Sequence, residues 1–63
     1  MINKQYRNGL LRINLPYATF GIVVENGFVR EAAPMGKWMI GKHINMIIKW
    51  VEKKGGKVEA INE

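Results

Sequence analysis

Residues 19–32, with the sequence TFGIVVENGFVREA, decide the fold of this chain of 63 residues. The first half is rich in aromatic and β-branched side chains, which favour a pleated strand. Asn26 and Gly27 follow, and because both tolerate positive φ they form a strong signal for a two-residue hairpin loop. Residues 28–32 return as the next strand, and Pro34 ends it because proline cannot donate to a ladder. The stretch therefore predicts an antiparallel β-hairpin.

The pairing inside this hairpin predicts the core face of the sheet. A two-residue loop sets Val24 opposite Val29 and Val23 opposite Arg30. Because side chains alternate along a strand, one face then carries these apolar residues: Phe20, Ile22, Val24, Val29 and Ala33. Residues 10–15 alternate with the same period and predict a strand before the hairpin, with the inward residues Leu11, Ile13 and Leu15.

Residues 42–54 carry the only long helical pattern. A single apolar stripe follows the i, i+3, i+4, i+7 spacing of a buried helix face: Ile44, Ile47, Ile48 and Val51. Gly41 is the predicted N-cap, and Gly55 and Gly56 are the predicted stop. Residues 57–61 predict a short C-terminal strand. The order is then β-β-β-α-β, and the predicted fold class is α+β, a small antiparallel β-meander with one amphipathic helix.

The chain is predicted to comprise a flexible N-terminal arm, residues 1–9, and a single α+β domain, residues 10–63. A domain of this size rarely gains more than ~3–5 kcal/mol from its core. Met46 and Trp50 widen the apolar arc of the helix beyond what one small sheet covers, so we expect a homodimer with both residues in its interface. In the alternative, residues of the preceding segment fold back over the arc, namely Met35, Trp38 and Met39.

The charge and the residue types limit the function. The net charge is +5, from seven lysines and three arginines against five glutamates. An excess of basic residues favours binding to polyanions such as nucleic acid, although a small domain also needs a net charge of ~2–8 for solubility. The chain has one histidine and no cysteine, serine or aspartate, so we expect no enzyme activity, metal site or cofactor. With neither a signal core in residues 1–9 nor an apolar run of roughly 20 residues, a cytoplasmic protein with no membrane partner is expected.

Residues 36–42 match the G-x-x-x-x-G-K phosphate-binding pattern, between a predicted strand and a predicted helix. His43 stands where a magnesium-binding hydroxyl is needed, the loop interior is bulky and no aspartate is present, which argues against nucleotide hydrolysis. Residues 35–40 are too few for a full helix and predict a turn or a single helical turn. A weaker hypothesis is anion binding by free amides at the helix N-terminus, assisted by Lys37 and Lys42. The alternative is that Lys42 points into solvent.

Trp38 and Trp50 are interleaved with lysines along this half of the chain. Aromatic rings beside cations suit stacking on the bases of single strands; alternatively, Trp50 belongs to the core and the lysine face is merely solvated. No second helix is predicted for a helix-turn-helix, so nucleic-acid binding would be independent of base sequence. The candidate nucleic-acid-binding residues are Gly36, Lys37, Trp38, Gly41, Lys42, His43, Lys49 and Lys53.

Three stretches resemble short uncharacterised proteins encoded by bacteriophages and prophages: residues 16–24 (PYATFGIVV), residues 33–42 (APMGKWMIGK), and Trp50 with residues 54–56 (KGG). The resemblance implies a phage accessory protein that binds nucleic acid or a host protein, and it implies no catalytic residue. We therefore expect a non-enzymatic, small basic binding module that contacts nucleic-acid phosphates without sequence specificity. The alternatives are a module that binds and modulates a host protein, and an assembly component that only oligomerises.

Overall fold

The computed structural model describes residues 7–61 and has the predicted α+β architecture. Within this range, four antiparallel strands form one sheet in the order β3-β2-β1-β4, and a single α-helix crosses one of its faces. The elements along the chain are β1 (Gly9–Leu15), β2 (Ala18–Glu25), β3 (Phe28–Ala32), a 3₁₀ helix (Pro34–Met39), α1 (Ile44–Lys53) and β4 (Lys57–Ala60). The predicted order of strands and helix is confirmed, and the expected turn before the helix is the 3₁₀ helix.

The end of the predicted N-terminal arm is attached to the hairpin. Gly9 is already the first residue of β1. The backbone N–H of Gly27 donates to the carbonyl of Arg7 at 2.9 Å, and that of Asn26 donates to Asn8 Oδ1 at 3.0 Å. The rest of the arm, residues 1–6, lies outside the described residues. The two chain segments therefore meet at the β2–β3 turn.

The β2–β3 turn has the predicted positive φ angles, 52° at Asn26 and 85° at Gly27. Val24 pairs with Val29 as predicted, but the predicted pairing of Val23 with Arg30 is wrong, because Val23 pairs with Glu31. Arg30 is thus an extra residue in β3, which is the arrangement of a β-bulge.

The bulge keeps a carboxylate out of the core. In an unbulged ladder, Glu31 would lie opposite Ile22 on the buried face, where an unpaired charge is costly. The register shift places Ala32 opposite Ile22 instead, and Glu31 is exposed. The bulge therefore reconciles the turn geometry with the apolar pattern of β3.

The core lies between the sheet and the helical segment. Every inward residue predicted for β1 and for the hairpin is buried, except that Ala33 is only half-buried. Met39 brings the end of the 3₁₀ helix into the same core and is fully buried. The core residues are Leu11, Ile13, Leu15, Phe20, Ile22, Val24, Val29, Met39, Ile44, Ile47 and Val51.

Helix α1 ends where the glycines predict, and its N-cap lies two residues after the predicted one. Gly55 has a φ of 85°, and the backbone N–H of Gly56 donates to the Val51 carbonyl at 2.9 Å, so the end is satisfied in the manner of a glycine C-cap. At the other end, His43 is the N-cap, and the prediction of Gly41 for this role is wrong. Gly41 lies in the preceding turn with a φ of 88°.

Candidate functional site

The helix N-terminus does not offer the free amides that the sequence hypothesis required. His43 Nδ1 accepts a hydrogen bond from the Asn45 backbone N–H at 3.0 Å. The Ile44 N–H donates to the Gly27 carbonyl at 2.7 Å, and the Met46 N–H donates to the His43 carbonyl at 3.0 Å. The amides that would bind an anion at a helix start are therefore already used within the chain, because the imidazole supplies an acceptor that the sequence hypothesis did not assign.

Residues 36–42 also turn their amides inward. The N–H groups of Gly36, Gly41 and Lys42 donate to the carbonyls of Ala33, Val29 and Met39, at 2.8, 2.8 and 2.9 Å respectively. Gly36 is buried, and a Cβ there would lie 2.6 Å from the Phe20 ring. The glycines therefore allow this loop to pack closely against β3 and the core. The match to the phosphate-binding pattern results from this packing requirement.

His43 is held by contacts that fix its role as a cap. Its ring packs edge-on against Phe28, with 5.1 Å between ring centroids. Residues 7–61 contain no group of three or more side chains that could hold a metal ion, and no enclosed pocket. The contacts of His43 therefore indicate a structural role, in which its ring caps the start of the helix.

We predict that His43→Ala costs about 1 kcal/mol of unfolding free energy, because the helix loses its side-chain cap. His43→Asn is the matched control, since asparagine is a favoured N-cap. Thermal denaturation should show a fall in midpoint of roughly 4–8 °C for the alanine variant and a smaller fall for asparagine. Equal falls would mean that the ring contacts, and not the cap, stabilise this end of the helix.

Two tryptophans from different elements meet on the surface. Trp38 of the 3₁₀ helix packs against Trp50 of α1 with ring centroids 4.9 Å apart and an interplanar angle of 70°. The Lys54 ammonium lies 5.9 Å from the centroid of the Trp50 ring, within reach of a cation–π contact. The alternative that the preceding segment folds back over the helix is thus confirmed for Trp38, whereas Met39 is buried in the core and Met35 is exposed.

Lysines surround this pair on the helix. Met46, Lys49, Trp50 and Lys53 share one side of α1, because residues three and four apart are neighbours on a helix. Met46 is 52% exposed and Trp38 is 45% exposed, whereas Trp50 is half-buried. We call this surface, together with the exposed Lys37 that precedes Trp38 in the chain, the tryptophan–lysine patch; its members are Lys37, Trp38, Met46, Lys49, Trp50, Lys53 and Lys54.

The charges are divided between the two sides of the molecule. The outer face of the sheet carries three positive and three negative side chains, with ion pairs between Arg12 and Glu59, 3.5 Å apart, and between Arg30 and Glu25. The segment from the 3₁₀ helix to Lys54, the C-cap of α1, carries five exposed lysines against one acidic residue, Glu52, and none of these lysines forms an ion pair within the described residues. Most of the net positive charge of residues 7–61 therefore lies on the helical side.

The structure separates the predicted site residues into two groups. Gly36, Gly41 and His43 shape the loop and the helix start. Lys54 was not among the predicted site residues, although its spacing of four from Trp50 is a signal for contact on a helix. The second group consists of exposed side chains that a ligand can reach, namely Lys37, Trp38, Lys42, Lys49 and Lys53.

No helix within residues 7–61 has the length and apolar character required to cross a membrane. Comparisons with protein-family models, with curated proteins and with solved structures gave no significant match. Function is therefore inferred from the chemistry of the exposed residues.

Proposed function

We propose that this protein is a non-enzymatic, basic binding module that contacts nucleic-acid phosphates without sequence specificity. The observation that supports the proposal is the division of charge: five exposed lysines on the helical side form no ion pair among residues 7–61, and the sheet face is balanced. Clustered positive charge of this kind attracts polyanions over long distances. The ligand would be met in the cytoplasm, and in the host cytoplasm if the phage resemblance holds.

Lysine chemistry supports binding that is independent of base sequence. Contacts to phosphate oxygens position a protein on nucleic acid but carry no base information. The apolar stripe of α1 packs against the sheet and is not available to a ligand, because Ile44, Ile47 and Val51 are fully buried. The side of α1 next to the tryptophans instead presents Lys49 and Lys53, with donors that suit phosphates. We therefore assign phosphate contact to lysine side chains, without a contribution from loop amides.

The test compares two triple variants that remove the same charge from opposite sides. The patch variant combines Lys37→Ala, Lys49→Ala and Lys53→Ala. The sheet-face control combines Arg12→Ala, Arg30→Ala and Lys57→Ala, and exposed ion pairs of this kind contribute only about 0–1 kcal/mol to stability. Affinity for single- and double-stranded DNA is measured at several salt concentrations.

We expect the patch variant to bind more weakly at low salt. Its plot of log affinity against log salt should flatten by roughly 0.7–0.9 for each phosphate that the variant no longer binds, while the control keeps the wild-type slope. Equal losses of affinity in both variants would show that net charge alone is responsible and would contradict the assignment to the helical side. Wild-type protein that binds neither form of DNA at low salt would end the proposal.

A protein–protein module is the second candidate, because large apolar side chains are exposed on the same side. Trp38 and Met46 are each about half exposed, and such side chains anchor protein interfaces. A host protein or a second copy would be the partner, and the proposed homodimer would use Met46 and Trp50. An apolar interface of this kind would keep its affinity as salt is raised, whereas phosphate binding would weaken steeply.

A further inference from the structure

The tryptophan–lysine patch combines an exposed aromatic ring with lysines that have no acidic partner in the part of the chain that the structure describes. Trp38 is 45% exposed although its ring packs against Trp50, so part of its surface is available to a ligand. The contact with Trp50 and the fully buried Met39 beside it hold the indole in place. A ring fixed in this way loses little conformational freedom when it binds.

The charge of the patch argues against a second copy as its occupant. A twofold interface brings the same surface of both subunits together, so Lys49 and Lys53 of one protomer would face the same residues of its partner. Like charges placed against each other across an interface are repelled, and the four lysines of the patch outnumber Glu52, the only acidic side chain of α1, which neighbours Lys49 at a spacing of three. An occupant with negative charge and flat apolar surfaces suits the patch better.

We infer that the ligand of this patch is single-stranded nucleic acid, with an unpaired base stacked on Trp38 and phosphates bound by the neighbouring lysines. The inference rests on the proposed function and narrows its substrate class. Every base has a π-face, so stacking tolerates any sequence, whereas the bases of a duplex are stacked on one another and leave only phosphates for the lysines. Trp50 acts as a positioning residue, because its edge-on contact sets the orientation of Trp38.

The experiment uses three DNA probes of equal length, about 16 nucleotides, at the upper end of common single-strand site sizes. The probes are a single-stranded oligothymidylate, an abasic single strand that keeps the phosphates but lacks bases, and a duplex. Wild type, Trp38→Leu, Trp38→Phe and the lysine patch variant are titrated with each probe at one low salt concentration. Melting midpoints of the tryptophan variants establish that they fold.

We expect Trp38→Leu to lower affinity for oligothymidylate by roughly 5- to 150-fold, the effect associated with one stacked base. Its affinity for the abasic strand and the duplex should remain within about twofold of wild type. Trp38→Phe should retain part of the oligothymidylate affinity, because a smaller ring still stacks. The lysine patch variant should bind all three probes more weakly.

The failures of the two proposals are distinguishable. If wild type binds no probe, both are wrong. If wild type binds the abasic strand as tightly as oligothymidylate, phosphate binding stands and the stacking inference is overturned, a comparison that holds even if a tryptophan variant fails to fold. If sedimentation shows a dimer that Trp38→Leu dissociates, the patch belongs to a second copy and the inference is equally overturned.

Discussion

Gly56→Ala is expected to lower the thermal unfolding midpoint by about 12 °C or more, the largest effect we predict for a single methyl group in this chain. A Cβ at Gly56 would lie 2.2 Å from the Asn14 carbonyl oxygen, and also close to Val51 Cγ1 at 3.0 Å and Leu15 Cδ2 at 3.1 Å. The Asn14 backbone is fixed in β1 by its pairing with β2 and β4. The clash therefore cannot be relieved by rotating a side chain.

The magnitude follows from the small size of the domain. Overpacking a core costs typically ~1–3 kcal/mol, and the upper end applies to a contact with fixed backbone. A loss of about 3 kcal/mol corresponds to roughly 12–24 °C in a domain of this length. It is also comparable with the ~3–5 kcal/mol that such a core supplies, so Gly56→Ala should be largely unfolded near physiological temperature.

Gly41→Ala is the matched control for this prediction. Gly41 has a φ of 88°, but a Cβ at this position would have no heavy atom within 4 Å outside its immediate neighbours. The substitution therefore adds backbone strain alone, about 1 kcal/mol. Thermal denaturation followed by circular dichroism compares the two variants. A similar fall in both midpoints would mean that the close approach of Gly56 to β1 is relieved by a small shift of the chain.

Local sequence signals predicted the scaffold because each of them acts over a few residues. The alternation of Leu11, Ile13 and Leu15 depends only on the period of a strand, and the Asn26-Gly27 pair only on its tolerance of positive φ. The β3 bulge required more information. Turn geometry alone pairs Val23 with Arg30, and only the cost of burying Glu31 against the helix side of the sheet favours the register that the structure adopts.

The candidate site was predicted in part, and the error has a physical cause. The motif G-x-x-x-x-G-K describes a spacing, whereas phosphate binding depends on where the amides point, and here they are used by Ala33, Val29 and Met39. The role of His43 as N-cap was missed because histidine is not among the favoured capping residues. The separation of charge between the two sides of the molecule could not be predicted either, because a net charge of +5 does not reveal which face carries it.

Gly27→Val should destabilise the domain by about 2 kcal/mol, more than any change of an exposed lysine to alanine, because the β2–β3 turn joins three parts of the chain. The Gly27 N–H binds the Arg7 carbonyl at 2.9 Å, and its own carbonyl accepts from Ile44, the first residue of α1, at 2.7 Å. A residue confined to negative φ cannot keep both bonds, since Gly27 has a φ of 85°. Strained backbone of this kind costs ~1–3 kcal/mol, whereas ordinary surface substitutions stay within about 0.5 kcal/mol.

Valine at position 27 would also crowd the ring of His43, in addition to straining the backbone of the turn. A Cβ at Gly27 would lie 3.2 Å from His43 Nε2, so a branched side chain crowds the ring that caps α1. Gly27→Asn is the control, because asparagine tolerates positive φ better than valine does and has no branched Cβ. We expect the unfolding midpoint to fall by about 8 °C or more for valine, clearly less for asparagine, and hardly at all for Lys49→Ala. If the valine variant has the same unfolding midpoint as wild type, neither the turn conformation nor its link to the helix start stabilises the fold.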